Sequence, residues 1–188
     1  MCFCQLAVIR AVVIPERMVR GRKNPLHFGL AKRLRALRRE RDIGGKPLSV
    51  AAHLAATTVL RIESEETVPS IDVVEKLASA LKVSAGFLAY GVSPAADAPV
   101  AIGSSELSER LRITRLQRGL SLNALAKLSG VARTTIGYLE AGTTTPSVAT
   151  AELLAQALGV PAPWLAYGEG PAAAEDDRPE ESATRAAT

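Results

Sequence analysis

Leu120-Ser121-Leu122-Asn123-Ala124-Leu125-Ala126-Lys127-Leu128-Ser129-Gly130-Val131-Ala132-Arg133-Thr134-Thr135-Ile136-Gly137-Tyr138-Leu139-Glu140-Ala141-Gly142 is the stretch that decides the fold. Its apolar residues recur at spacings of three and four, the period of a helix and not of a strand. Ser121 is placed to cap a helix from about Leu122 to Leu128, with Leu125 and Leu128 turned inward. Ser129-Gly130-Val131 reads as a tight turn, where glycine supplies the positive φ that other residues adopt at a cost. A second helix follows from about Arg133 to Glu140, buried through Ile136 and Leu139, and Ala141-Gly142 stops it.

The flanks extend the same pattern. Ser104 or Ser105 caps a preceding helix whose inner face carries Leu107 and Leu111, and Gly119 ends it. Pro146-Ser147 opens a helix carrying Val148, Ala151, Leu154, Ala155 and Leu158, and Gly159 closes it. Pro161–Tyr167 makes a short fifth helix. Strand signals are absent throughout, so the fold class is all-α.

The whole unit occurs twice. Residues 30–91 align with 107–168 at a constant offset of 77 without a gap, and 25 of the 62 paired positions are identical. Phe87-Leu88-Ala89-Tyr90-Gly91 answers Trp164-Leu165-Ala166-Tyr167-Gly168. Solenoid units are shorter, about 20–50 residues, and share one core along a stack. The longer period predicts two tandem five-helix domains, each with its own core: 28–91 and 104–168. Residues 92–103 form a Pro/Ala linker between them, 1–27 an N-terminal extension, and 169–188 an acidic tail whose composition predicts disorder.

Two short helices joined by a glycine-containing turn are a helix-turn-helix. In such a unit the first helix crosses the phosphate backbone and the second lies in the major groove, its N-terminal residues reaching base edges. The quoted stretch, continued through Thr145-Pro146-Ser147 and the Leu-rich helix beyond, closely resembles the lambda Cro/C1-type repressor family, also called the xenobiotic-response-element type. The resemblance covers about 65 residues per copy. It implies two lambda-repressor-like DNA-binding domains in a transcriptional regulator, a repressor, with base readers at the start of the third helix. Those readers are Arg133, Thr134 and, one turn on, Tyr138 in copy two. Thr57 and Arg61 are the corresponding candidates in copy one. It further implies phosphate contacts from Ser121, Asn123, Thr135, Thr143 and Thr145, with Lys46 in copy one. Arg38 with Glu63, and Arg115 with Glu140, fall where the family has a partly buried ion pair joining helix one to the end of helix three.

Copy one departs from this pattern. Gly44-Gly45-Lys46-Pro47 replaces Ser121-Leu122-Asn123-Ala124, His53 replaces the turn glycine Gly130, and Ala56 replaces Arg133. Glu65-Glu66 replaces Gly142-Thr143, which sets two carboxylates where phosphate would lie. Against this, Arg33, Arg35, Arg38, Arg39 and Arg41 make its first helix basic. Two readings stay open: a weaker or non-specific DNA contact or pairing surface, and a true second reader. Trp164 and Tyr167 read as packing residues, and His53 as a turn residue.

Charge is unevenly spread. The net charge is +4 overall. The two copies and the extension are basic and the tail is acidic, which suits a polyanionic partner. The two cysteines, Cys2 and Cys4, build no disulfide framework and no zinc site, so no metal and no cofactor is expected. Leu6–Ile14 is interrupted by Arg10 and is far shorter than the roughly 20 residues of a membrane span. A cytoplasmic setting is the simplest expectation. Residues 1–17 read either as a misassigned start ahead of Met18 or as a short ordered extension. No nucleophile–base pair, phosphate-cradling glycine loop or metal spacing points to an enzyme.

Double-stranded DNA is therefore the expected partner, approached by a homodimer or by an intramolecular pseudo-dimer. The 12-residue linker spans at most about 40 Å, against about 34 Å between half-sites one turn apart. The alternative class is an antitoxin-like or other protein-interaction module that holds a protein partner and binds DNA only secondarily.

Overall fold

The computed structural model describes residues 25–92 and 105–170. The expectations for the Leu6–Ile14 stretch and the alternative start, for the linker from 93 on with Ser104, and for the tail from 171 on lie outside the described residues. Within them, a 3-10 turn, Leu26–Gly29, precedes ten α-helices. Copy one holds α1 (Leu30–Glu40), α2 (Gly45–Ala51), α3 (Thr58–Glu63), α4 (Ile71–Leu81) and α5 (Ala85–Tyr90). Copy two holds α6 (Ser105–Gln117), α7 (Leu122–Ser129), α8 (Arg133–Glu140), α9 (Val148–Leu158) and α10 (Ala162–Tyr167).

Local chemistry explains three of the helix starts. Ser121, Ser147 and Ser84 each accept, through Oγ, the backbone N–H three residues on, at 3.1 Å. Each thereby satisfies a donor that a helix N-terminus otherwise leaves unpaired. Copy one's α2 lacks such a cap: it starts from Gly44 with no side-chain hydrogen bond. Proline at its third position is compatible, because the missing N–H has no partner in a first turn.

The buried residues occur as pairs at the repeat offset. Leu34, Leu48, Val59, Ile62, Ile71, Leu77, Leu81 and Leu88 are buried in copy one. Their counterparts Leu111, Leu125, Ile136, Leu139, Val148, Leu154, Leu158 and Leu165 are buried in copy two. Each large side chain so buried contributes about 1.5–3 kcal/mol. Leu128 departs from expectation. It is 39% exposed, because α7 is only two turns long and Leu125 with Ser129 takes up its inward face.

The two cores are not separate. Ala85, Leu88, Ala89 and Tyr90 of α5 and Ala162, Leu165, Ala166 and Tyr167 of α10 belong to one continuous apolar cluster. The helices α5 and α10 pack against each other, with the Tyr90 and Tyr167 rings 6.2 Å apart. Ser70 and Ser147 form an isolated antiparallel bridge. Ile71 N–H donates to Pro146 O at 3.1 Å, and Val148 N–H donates to Pro69 O at 3.0 Å. These two bonds are the same bond seen from each copy. Such reciprocity, residue i to j and j to i, is the signature of a two-fold, isologous contact.

Other ties across this contact are one-sided. Tyr90 Oη donates to Val148 O at 3.0 Å, whereas Tyr167 Oη makes no hydrogen bond to the protein. Glu152 reaches the 3-10 turn of copy one, accepting from Leu26 N–H at 2.7 Å and His27 N–H at 3.2 Å. Its Oε2 also lies 2.7 Å from His27 Nδ1. Glu169, grouped by composition with the tail, is buried and accepts from Gly86 N–H at 3.0 Å. Its partner lies on α5, so the contact is visible only once the copies are docked.

Candidate nucleic-acid interface

The helix pair α7–α8 is anchored from beneath. Leu125, Ile136 and Leu139 are buried, and Ser129 Oγ donates to Leu125 O at 2.7 Å and accepts from Val131 N–H at 3.2 Å. Gly130 holds the turn at φ +72°, and a Cβ there would meet no steric obstacle, so its requirement is conformational. With Ile136 and Leu139 facing in, Arg133, Thr134, Thr135 and Tyr138 face out and are exposed. Tyr138 is 58% exposed. Between Thr134 and Tyr138 sits Gly137, whose open side removes bulk from the same face.

Around this face, Asn123 and Lys127 are exposed on α7, and Thr143, Thr144 and Thr145 on the loop after α8. The Thr143 hydroxyl donates to Tyr138 O at 3.0 Å, which leaves its oxygen free to accept but commits its proton. Thr145 and Ser121 remain exposed.

Beneath the face, Arg115 Nε and Nη2 donate to Glu140 Oε1 and Oε2 at 2.6 and 2.8 Å. Its Nη1 donates to Leu120 O at 2.8 Å. The fork thus ties α6, the start of the helix-turn-helix and the end of α8. The hydrogen bond to Glu140 raises the arginine pKa further above its ordinary value. In copy one Arg38 holds Glu63 in the same way, at 2.7 and 3.0 Å, and Ile43 O at 2.9 Å. Arg35 adds to it, donating to Glu63 O at 2.7 Å.

The basic surface expected of copy one's first helix is smaller than the residue count suggests. Arg33 points inward and donates to Leu88 O and Ala89 O at the end of α5. Burial lowers its pKa, against the opposing field of Glu152. Arg35 and Arg38 are engaged by Glu63. Lys32, Arg39 and Arg41 stay exposed. The Arg33 role is repeated by Arg110, which donates to Leu165 O and Ala166 O at 3.0 Å each. It was legible as one of the identical paired positions, but an arginine on an exposed-looking helix gave no sign that its fork closes another helix.

Copy one's equivalent face has different chemistry. Thr57 and Arg61 are exposed, and Arg61 lies 3.9 Å from Glu66 in an exposed ion pair. Leu60, 60% exposed, stands where copy two has Gly137, and Val50, 59% exposed, where it has Lys127. Lys46 is exposed at the start of α2. Glu65 and Glu66 are exposed on the loop after α3.

Comparison with known protein families gives two matches to the helix-turn-helix family, at residues 34–88 and 111–165. The chain belongs to the Cro/C1-type helix-turn-helix family. No curated protein and no solved structure matches it beyond chance. The two family matches cover the two copies in tandem, and both Cro/C1-type units carry all five helices. Membership makes this a DNA-binding protein in broad class. Among the described residues, no helix is long and apolar enough to cross a membrane.

Proposed function

We propose that the chain is a sequence-specific, double-stranded DNA-binding transcriptional repressor that reads the major groove with α8. The observation that carries this reading is the exposure of Arg133, Thr134, Thr135 and Tyr138 on one face of α8 while Ile136 and Leu139 fasten the opposite face. An arginine at the start of such a helix suits the bidentate contact to guanine O6 and N7, worth about 1–3 kcal/mol of discrimination. Thr134 and Tyr138 extend the readout, and Thr135 suits a thymine methyl or a phosphate. The N-terminus of α7, with Ser121 and Asn123, offers backbone N–H groups and the positive end of its dipole to phosphate. Thr143 and Thr145 flank the same backbone.

In copy one, Thr57, Arg61 and Lys46 contribute less, because Arg61 is shared with Glu66 and Glu65 brings a like charge toward phosphate. The ion pairs Arg38–Glu63 and Arg115–Glu140 act through the fold and not on DNA.

The test is selection of genomic fragments followed by gel shifts across a salt series. Several phosphate contacts give a slope of log K against log[salt] of about −0.9 per contact, and a slope near zero would sink the reading. A second reading, a protein-interaction module, draws on the exposed Val50 and Leu60 of copy one. A protein that co-purifies in stoichiometric amount, together with a flat salt slope, would favour it.

A further inference from the structure

We infer that one chain by itself spans both halves of its DNA site, and that the half under copy two carries nearly all of the sequence information. This inference rests on the DNA-binding reading above. Helix-turn-helix proteins grip two half-sites about 34 Å apart through a two-fold dimer, and the symmetry of the site mirrors that of the protein. Here the two-fold is internal. The Ile71 N–H to Pro146 O and Val148 N–H to Pro69 O bonds exchange under the 77-residue offset, and Tyr90 and Tyr167 meet where the two copies do. The surface that pairs the copies, α5 on one and α10 on the other, is therefore covered within a single chain.

The same contact limits how far apart the readers lie. α3 ends at Glu63 and α8 at Glu140. Each connects to its bridge residue, Ser70 or Ser147, through six intervening residues that end in Pro69 or Pro146. The carbonyls of those two prolines accept the cross-copy bonds. Seven residue steps reach at most about 25 Å and the bridge adds about 5 Å, so the ends of α3 and α8 lie within about 55 Å of each other, which admits the one-turn spacing. Where that two-fold crosses the duplex axis, it turns α3 and α8 into opposite directions along the DNA, as an inverted site requires.

The two readers are not chemically equal. Arg133 is matched by Ala56, Lys127 by Val50, and Thr143 by Glu66, whose carboxylate pairs with Arg61. A site for this chain is consequently inverted in geometry but unequal in sequence, and the bound chain has one orientation on it.

The experiment measures the mass of the free full-length chain and of its complex with a selected duplex, then footprints the complex and scans every base pair. The expected result is a monomer in solution and one chain per duplex. Two protected windows should lie about one helical turn apart. Base changes in one half should weaken binding by about 5- to 150-fold, and changes in the other by less than about 3-fold. Two chains per duplex, a single protected window, or equal sensitivity in both halves would overturn the inference while leaving sequence-specific DNA binding intact. Absence of salt-dependent duplex binding would remove both. A second measurement needs no DNA: a protease site is placed between residues 92 and 105 and cut. The halves should still elute as one particle, and their separation would overturn the inference.

Discussion

Copy two turns its chain with glycines at Gly119, Gly130, Gly142 and Gly159, all at positive φ between +64° and +72°. At each of the four equivalent positions copy one has a side chain: Asp42, His53, Glu65 and Lys82, at φ of 52°, 55°, 60° and 51°. The backbone is the same and the residues are not. Aspartate and histidine enter the left-handed region more readily than most residues, but glutamate and lysine have no such excuse. The path of the chain is thus held by what packs around the turns, and the local preference is overridden at about 1–2 kcal/mol per position. Two of these positions, His53 in the turn and Glu65 after α3, lie beside the face where copy one has lost its reading chemistry; Asp42 and Lys82 follow α1 and α4. Copy two has neither the strain nor the loss.

The largest effect expected from breaking this comparison is common to both copies. Replacing Glu63 or Glu140 with alanine should destabilise the fold by about 3–5 kcal/mol, because each leaves a poorly solvated arginine unpaired. Chemical denaturation checks it, and DNA affinity measured on protein that remains folded should be nearly unchanged.

Next comes readout, where the copies should differ. Arg133→Ala should cost about 1–3 kcal/mol of discrimination at one base pair, and Tyr138→Ala should broaden the selected sequence. Arg61→Ala should change the selected site little. If the two arginine variants relax specificity alike, copy one is a reader after all.

The backbone contrast gives effects of about 1 kcal/mol with opposite signs. Gly130→Ala should destabilise by about 1–2 kcal/mol, although space is open around it. His53→Gly should stabilise by up to about 1 kcal/mol, the relief of strain being offset by the greater freedom of the unfolded chain. Equal signs in thermal melts would mean that the turns, not the side chains in them, are inequivalent.

The interface tyrosines should separate similarly. Tyr90→Phe should lose about 0.5–1.5 kcal/mol with its bond to Val148 O, and Tyr167→Phe should be neutral or slightly stabilising.

Smallest is a pH effect. Burial, followed by the nearby Asp72 charge, raises the Glu75 pKa, with Arg110 opposing and Glu169 adding. Its charged form is disfavoured in the folded state, so its contribution is present below the unfolded carboxylate value and lost as pH rises through the folded one. Glu75→Gln should therefore raise the melting temperature at neutral pH and give no gain in acid. At the equivalent position in copy two, Glu152 accepts two backbone N–H bonds instead, and Glu152→Gln should not show that gain.

Much of each copy was legible in one dimension. The period of Leu107, Leu111, Leu125, Ile136 and Leu139 selects the buried face, and capping serines and glycines mark most helix ends of copy two. Copy one was legible mainly through its alignment with copy two, since Glu65 and Lys82 carry no turn signal of their own. The outward set Arg133, Thr134 and Tyr138 follows from the inward set by subtraction. What resisted reading were side chains whose partners lie far along the chain. Arg33 and Arg110 close α5 and α10 from 55 residues away. Glu152 reaches 126 residues back to Leu26.

The sequence by itself determined two helix-turn-helix scaffolds and their unequal surfaces, because helix period, turns and exposed chemistry are properties of neighbouring residues. Only the tertiary structure decided that the scaffolds form one particle about an internal two-fold. That outcome depends on complementary shape across α5, α10 and the Ser70–Ser147 bridge, and on backbone groups that look identical in every sequence until they meet.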